Sequence, residues 1–138
     1  MCLPCLSKKQ QINNIGNIEK KYFVDGSTEY YLDDSLHNNN DAPAVVNELH
    51  QEWWLHGLRH RKNKPAILYK DGSKEYWFYG MRHRDNNKPA VILKDEGFNV
   101  GFYTLEYWFY GKLHRDNGPA IEKSSGEQEY WIHGKRIK

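Results

Sequence analysis

Glu75-Tyr76-Trp77-Phe78-Tyr79-Gly80-Met81-Arg82-His83-Arg84 returns as Glu106-Tyr107-Trp108-Phe109-Tyr110-Gly111-Lys112-Leu113-His114-Arg115. A third copy reads Glu52-Trp53-Trp54-Leu55-His56-Gly57-Leu58-Arg59-His60-Arg61. Weaker versions start at Glu29 and Glu129, so the starts at 29, 52, 75, 106 and 129 are spaced by 23, 23, 31 and 23 residues. A fixed period in this range marks a repeat array, in which each unit buries its apolar face only by stacking on the next. An active site is normally built once. A phrase copied this often points to scaffold or to a repeated binding surface.

Each unit holds two strand-like runs. The first is the aromatic run ended by Gly57, Gly80, Gly111 or Gly134; the second follows a Pro-Ala pair at 43–44, 65–66, 89–90 and 119–120. Asp71-Gly72, Asp95-Glu96-Gly97 and Ser125-Gly126 separate the units as turn signals, so the runs read as hairpins. Tyr22-Phe23-Val24 before Asp25-Gly26 reads as an orphan second strand. The expected fold is all-β: a single-layer antiparallel meander of about five hairpin repeats over residues 21–138, with residues 1–20 as a tail or cap. Alternation along the first strands places Tyr30, Trp53, Tyr76, Tyr107 and Tyr130 on an apolar face with Leu32, Leu55, Phe78, Phe109 and Ile132. Glu52, Glu75 and Glu106 fall on the other face with Trp54, Trp77 and Trp108.

Composition narrows the classes. The chain has 138 residues, enough for one domain. Its mean hydropathy of −0.93 alone suggests disorder, but 14% aromatic residues in regular positions argue for a thin, folded structure. Twenty basic residues against eighteen acidic ones give a net charge of +2, too balanced to imply nucleic acid. No apolar run reaches the length of a membrane span, and the N-terminus lacks the apolar core of a secretory signal. Cys2 and Cys5, the two cysteines, cannot staple the repeats. A reduced, cytoplasmic setting follows as the expectation.

A resemblance enters with the stretch Tyr-Trp-x-x-Gly-Lys-Leu-His-Arg-x-x-Gly-Pro-Ala at 107–120. This double-strand unit resembles the MORN repeat in its variant form, as found in proteins of large DNA viruses, phages and some bacteria. The resemblance covers roughly residues 22–138. It implies a scaffold or partner-contacting module; antitoxin-like bacterial variants imply an inhibitor as the alternative. It also implies a viral setting, in host cytoplasm or virion. The chain departs from the standard unit in its glycine spacing and in its His-Arg and Pro-Ala pairs, which weakens any carry-over of lipid contact.

Candidate chemistry recurs in columns. His37, His60, His83 and His114 sit in successive hairpins, about 9.6 Å apart at a strand spacing of about 4.8 Å, so they cannot share one metal. Each imidazole is expected to bond a neighbouring backbone carbonyl or a strand-heading glutamate. Arg61, Arg84 and Arg115 read as locally paired, with a ladder for an anionic polymer as the sharper alternative; the regular glutamates oppose it. Trp54, Trp77 and Trp108 are either covered or exposed as a contact surface. The eight-residue excess between the third and fourth units places Phe98, Val100, Phe102 and Tyr103 in a glycine-punctuated loop, read as a partner-anchoring finger or as an extended hairpin. Cys2 and Cys5, near Lys8-Lys9, resemble an S-acylated terminus that would give peripheral membrane association; N-myristoylation is excluded because Cys2 stands where glycine is required. No metal, cofactor or catalytic constellation is expected. The partner expected is a protein.

Overall fold

The computed structural model describes residues 18–94 and 101–138. Ten strands form one antiparallel sheet in strict chain order: Glu19–Tyr22, Thr28–Leu32, Val45–Val46, His50–Glu52, Ile67–Tyr69, Lys74–Glu75, Val91–Lys94, Tyr103–Glu106, Ile121–Lys123 and Gln128–Glu129. This is the expected all-β meander. The sheet begins at Glu19, two residues before the expected boundary. The orphan strand ends at Tyr22, and Phe23 and Val24 belong to the turn that Gly26 closes through its N–H to the Phe23 carbonyl.

The aromatic run does not continue as one strand. It breaks at Trp53, Tyr76, Tyr107 and Tyr130, and the residues beyond the break fold into side hairpins. Trp54–Leu55 pairs with Leu58–Arg59, Trp77–Phe78 with Met81–Arg82, Trp108–Phe109 with Lys112–Leu113, and Trp131–Ile132 with Lys135–Arg136. The break residue joins the two parts. Tyr76 donates its N–H to Ala90 in the main sheet and accepts the His83 N–H from the side hairpin; Trp53 and Tyr107 do the same with Ala66 and His60, and with Ala120 and His114. In the first unit, Ser35–Leu36 pairs directly onto Thr28–Leu32, so that strand runs through.

Two-residue turns close the side hairpins. His56-Gly57, Tyr79-Gly80, Tyr110-Gly111 and His133-Gly134 all have positive φ at both positions, the I′ geometry that matches strand twist. Gly80 has φ +81°, and a Cβ there would stand 3.2 Å from Leu58 Cδ2 of the preceding unit. Adjacent side hairpins are bonded to each other: the Gly80 N–H reaches the Arg59 carbonyl, Gly111 reaches Arg82, and Gly134 reaches Leu113, at 2.8–2.9 Å. The repeats thus stack twice, once through the main sheet and once through a second ribbon of side hairpins.

The core is thin. Ala44, Ala66, Ala90 and Ala120 are wholly buried, beside Val45, Ile67 and Val91, with Trp53 and Tyr107 closing over them. Each of these alanines bonds on both flanks: Ala90 donates to Glu106 and accepts from Tyr76. A larger side chain has no room there, which explains why alanine follows the proline in each of the four repeated Pro-Ala pairs.

Candidate functional site

Glutamate is the polar hub of each unit. Glu52 and Glu75 are buried, and each accepts the indole N–H of the tryptophan two residues on, at 2.7 Å from Trp54 and 2.9 Å from Trp77. Arg59 and Arg82 bond the same carboxylates at 3.1 Å, and Tyr69 adds its hydroxyl to Glu75 at 2.9 Å. Burial, then the Glu75 hydrogen bond, pushes the Tyr69 phenol up to about 12. Trp108 and Trp131 repeat the bond to Glu106 and Glu129. The Arg59 guanidinium lies 4.7 Å from the Trp54 ring and 5.3 Å from the Trp77 ring; Arg82 stands 5.2 Å from Trp77 and 5.3 Å from Trp108. The tryptophan column is therefore half-buried and interleaved with arginines, a pairing that cation–π attraction favours.

The arginine column is folded inward. Arg61, Arg84 and Arg115 each lie 3.7 Å over the ring of Trp53, Tyr76 or Tyr107 and donate to the carbonyl of Pro65, Pro89 or Pro119. Arg61 grips Asp41 with two nitrogens, at 2.6 and 3.0 Å, and Lys64 joins it at 2.7 Å. Arg61 first, then Lys64, holds the Asp41 carboxyl well below the usual range. Arg115 reaches Glu122 at 2.8 Å and Asn87 at 2.9 Å.

The histidine column differs from the expectation. Each imidazole accepts rather than donates at Nδ1, from a backbone N–H of the next unit: His56 to His37, Tyr79 to His60, Tyr110 to His83 and His133 to His114, at 3.1–3.2 Å. Nδ1 is then unprotonated, and the proton sits on Nε2, which faces Asn39, Asp85 or Asp116 in three of the four copies. The carbonyls assumed as partners are already taken by the ribbon's own ladder, so the donor left over is the N–H in the left-handed turn. Three of these rings also stack on the turn side chain that they hold, His60 on Tyr79 at 4.0 Å, His83 on Tyr110 at 3.9 Å and His114 on His133 at 4.2 Å, while His37 meets His56 at a tilt. Among the described residues, no buried side-chain polar atom lacks a partner, and no group of three His, Cys, Asp or Glu is placed to hold a metal ion.

With these columns saturated, the exposed chemistry lies elsewhere. Phe78 and Phe109, expected on the apolar inner face, are 36% and 42% exposed, because the strand break turns them onto the side hairpin. Tyr79 and Tyr110, at the turns, are 46% and 43% exposed. The four rings form a continuous strip: Tyr79 to Phe78 at 4.7 Å, Phe78 to Tyr110 at 6.1 Å, Tyr110 to Phe109 at 4.7 Å. Leu58 and Met81 extend it along the ribbon. Two grooves open beside it, about 530 Å³ and 370 Å³, between the loops that follow successive histidines.

Of the residues singled out in the sequence, Phe98 and Val100 lie outside the described residues, as do Cys2 and Cys5. Phe102 and Tyr103 are exposed, and part of the excess length goes into longer strands, with Lys94 paired to Tyr103. Together with Leu93, Lys123 and Ser124 they line a separate depression of about 390 Å³. The strip of Phe78, Tyr79, Phe109 and Tyr110 was missed. Its signal was present: only the two middle units carry Phe-Tyr before the glycine, where the flanking ones carry Leu-His and Ile-His.

No family model, curated protein or solved structure matches the chain. No helix among the described residues is long and apolar enough to cross a membrane.

Proposed function

We propose that this chain is a non-catalytic repeat scaffold whose side-hairpin ribbon binds a protein partner. The observation that carries the reading is the aromatic strip of Tyr79, Phe78, Tyr110 and Phe109, held open to solvent on a fold whose other recurrent side chains are bonded to one another. Exposed contiguous aromatics mark partner surfaces. The rings are preorganised by stacking on His60 and His83, which reduces the entropy lost on contact. Trp77 and Trp108, with Arg61, Arg84 and Arg115, line the grooves beside this strip. Phe102 and Tyr103 offer a second, smaller contact. A viral assembly is the setting that the MORN-like resemblance suggests.

The test is affinity capture from the native host with the wild-type chain and with a Phe78→Ser, Tyr79→Ser, Phe109→Ser, Tyr110→Ser variant, circular dichroism serving as the folding control. A partner held by the wild type and lost by the folded variant supports the reading. Identical captured sets overturn it. A partner recovered in many copies indicates assembly; one enzyme at equal stoichiometry indicates an inhibitor.

A further inference from the structure

We infer that the aromatic strip takes an extended peptide in the polyproline II conformation, with proline or another apolar residue at every third position and acidic residues between. The inference rests on the partner-binding reading above and names the chemistry of the segment bound.

Spacing is the first argument. Phe78-Tyr79 and Phe109-Tyr110 occupy equivalent places in adjacent side hairpins. Those hairpins bond directly, Gly111 N–H to the Arg82 carbonyl at 2.9 Å and Arg84 N–H to the Trp108 carbonyl at 3.4 Å. Equivalent residues are therefore two strands apart, about 9.6 Å at a spacing of about 4.8 Å. A polyproline II helix has three residues per turn and rises about 3.1 Å per residue, so one face recurs every 9.3 Å or so. The mismatch is about 0.3 Å per unit. An α-helix presents its seventh residue about 10.5 Å along, roughly 0.9 Å too far. A β-strand returns to the same face at about 6.8 Å, which falls between ridges.

Shape and charge agree with that choice. Ridges of paired rings separated by grooves suit the flat pyrrolidine faces of an extended proline-rich segment, and such a segment loses little entropy on binding. The half-exposed Tyr79 and Tyr110 carry phenol O–H groups, and a polyproline II backbone leaves its carbonyls without internal partners. The larger groove is lined by Arg61, Lys62, Arg84 and Lys88 against Asp85. The smaller one adds Arg115 and Asp116 to the shared Arg84, Lys88 and Asp85. Asp85 and Asp116 each face a histidine Nε2, at 3.1 and 3.4 Å, and remain largely exposed. With Arg61 held by Asp41 and Arg115 by Glu122, the larger groove keeps Lys62, Arg84 and Lys88 against Asp85, so carboxylates are the matching side chains there. Single-stranded nucleic acid fits less well: His60 and His83 already cover one face of Tyr79 and Tyr110, and Arg61 and Arg115 are committed to Asp41 and Glu122.

The experiment is selection of a displayed library of random twelve-residue peptides on the full-length protein, followed by calorimetry with the enriched peptides and with oligo-dT. The expected result is enrichment of proline or bulky apolar residues at i and i+3 with Asp or Glu between. Moving one of those residues by a single position should weaken binding at least tenfold, as should Tyr79→Ser or Tyr110→Ser in a protein that remains folded. Enrichment of an alternating or helical apolar pattern overturns the inference, as does no enrichment, or binding of oligo-dT in preference to any peptide. If peptides fail while the four-residue strip variant still loses its native partner, the scaffold reading stands and this inference falls. If that variant loses nothing, both fall.

Discussion

The main sheet and the ribbon of side hairpins come from the same repeats and meet at one residue per unit, yet they use their side chains in opposite ways. In the main sheet the repeated positions close inward: the alanines are wholly buried, and glutamate bonds indole and guanidinium. In the ribbon the backbone does the stacking, through glycine, the histidine Nδ1 and the arginine N–H, and the aromatic side chains at the turns are left outside. A repeat that secures its neighbour twice can vary one of the two surfaces. The sequence does so: the turn pair is His-Gly in two side hairpins and Tyr-Gly in the other two, at nearly the same φ of 42–47°.

That contrast can be broken by substitution, and the largest effect belongs at the junction. Trp53→Ala removes a buried ring that covers the alanine column, and should lower unfolding free energy by about 3–5 kcal/mol in urea titration. A loss below about 1 kcal/mol would mean that the main sheet does not depend on its aromatic lid. Glu75→Ala comes next, at about 3 kcal/mol, since it strands Trp77, Tyr69 and the half-buried Arg82 together. Gly80→Ala tests the ribbon: a left-handed turn position with a Cβ 3.2 Å from Leu58 should cost about 1–2 kcal/mol. If it proves neutral, the turns are free to relax and the ribbon is not a second stacking system.

Acid should weaken the ribbon before it touches the Asp41 loop. Burial holds His60 below its ordinary value, so the folded state prefers the neutral ring. Its contribution is complete above about pH 6.5 and fades as pH falls through the lowered folded value. Asp41, held low by Arg61 and Lys64, contributes fully above about pH 3.8 and loses its share only below that. Urea midpoints between pH 8 and 5 should fall on acidification, and His60→Gln should flatten the slope. A slope unchanged in that variant removes His60 as the cause. The smallest effect on stability belongs to the strip itself: Phe78→Ser should shift stability by under about 1 kcal/mol, because the ring is already partly in water. A large loss there would make the strip core and not surface.

The period of the sequence made the meander legible, because hairpins of fixed length stack only in order. The Glu-Trp alternation put carboxylate and indole on one face correctly, and Glu52 and Glu75 do meet Trp54 and Trp77. The strand break was not legible. Tyr-Trp-Phe-Tyr reads as one uninterrupted β-branched or aromatic run, and the turn that follows has Tyr-Gly where Asn-Gly or Asp-Gly would announce a two-residue hairpin. Only the tertiary bond to His60 or His83 explains a tyrosine at positive φ. Missing that turn placed Phe78 and Phe109 inside. It also hid Arg59 and Arg82, whose role appears only once the second arm of the side hairpin folds back over the tryptophans.

The strict chain order of the main sheet has a mechanical consequence. Its first strand, Glu19–Tyr22, and its last, Gln128–Glu129, lie at opposite edges. Tension applied between them runs across the strands and along the hydrogen bonds, so it loads the rungs one after another instead of shearing them together. Such an array yields in steps, each 23-residue unit releasing roughly 80 Å of chain at about 3.5 Å per residue. A protein built this way gives under load like a stack of zips, lengthening by whole units while those not yet opened keep their shape.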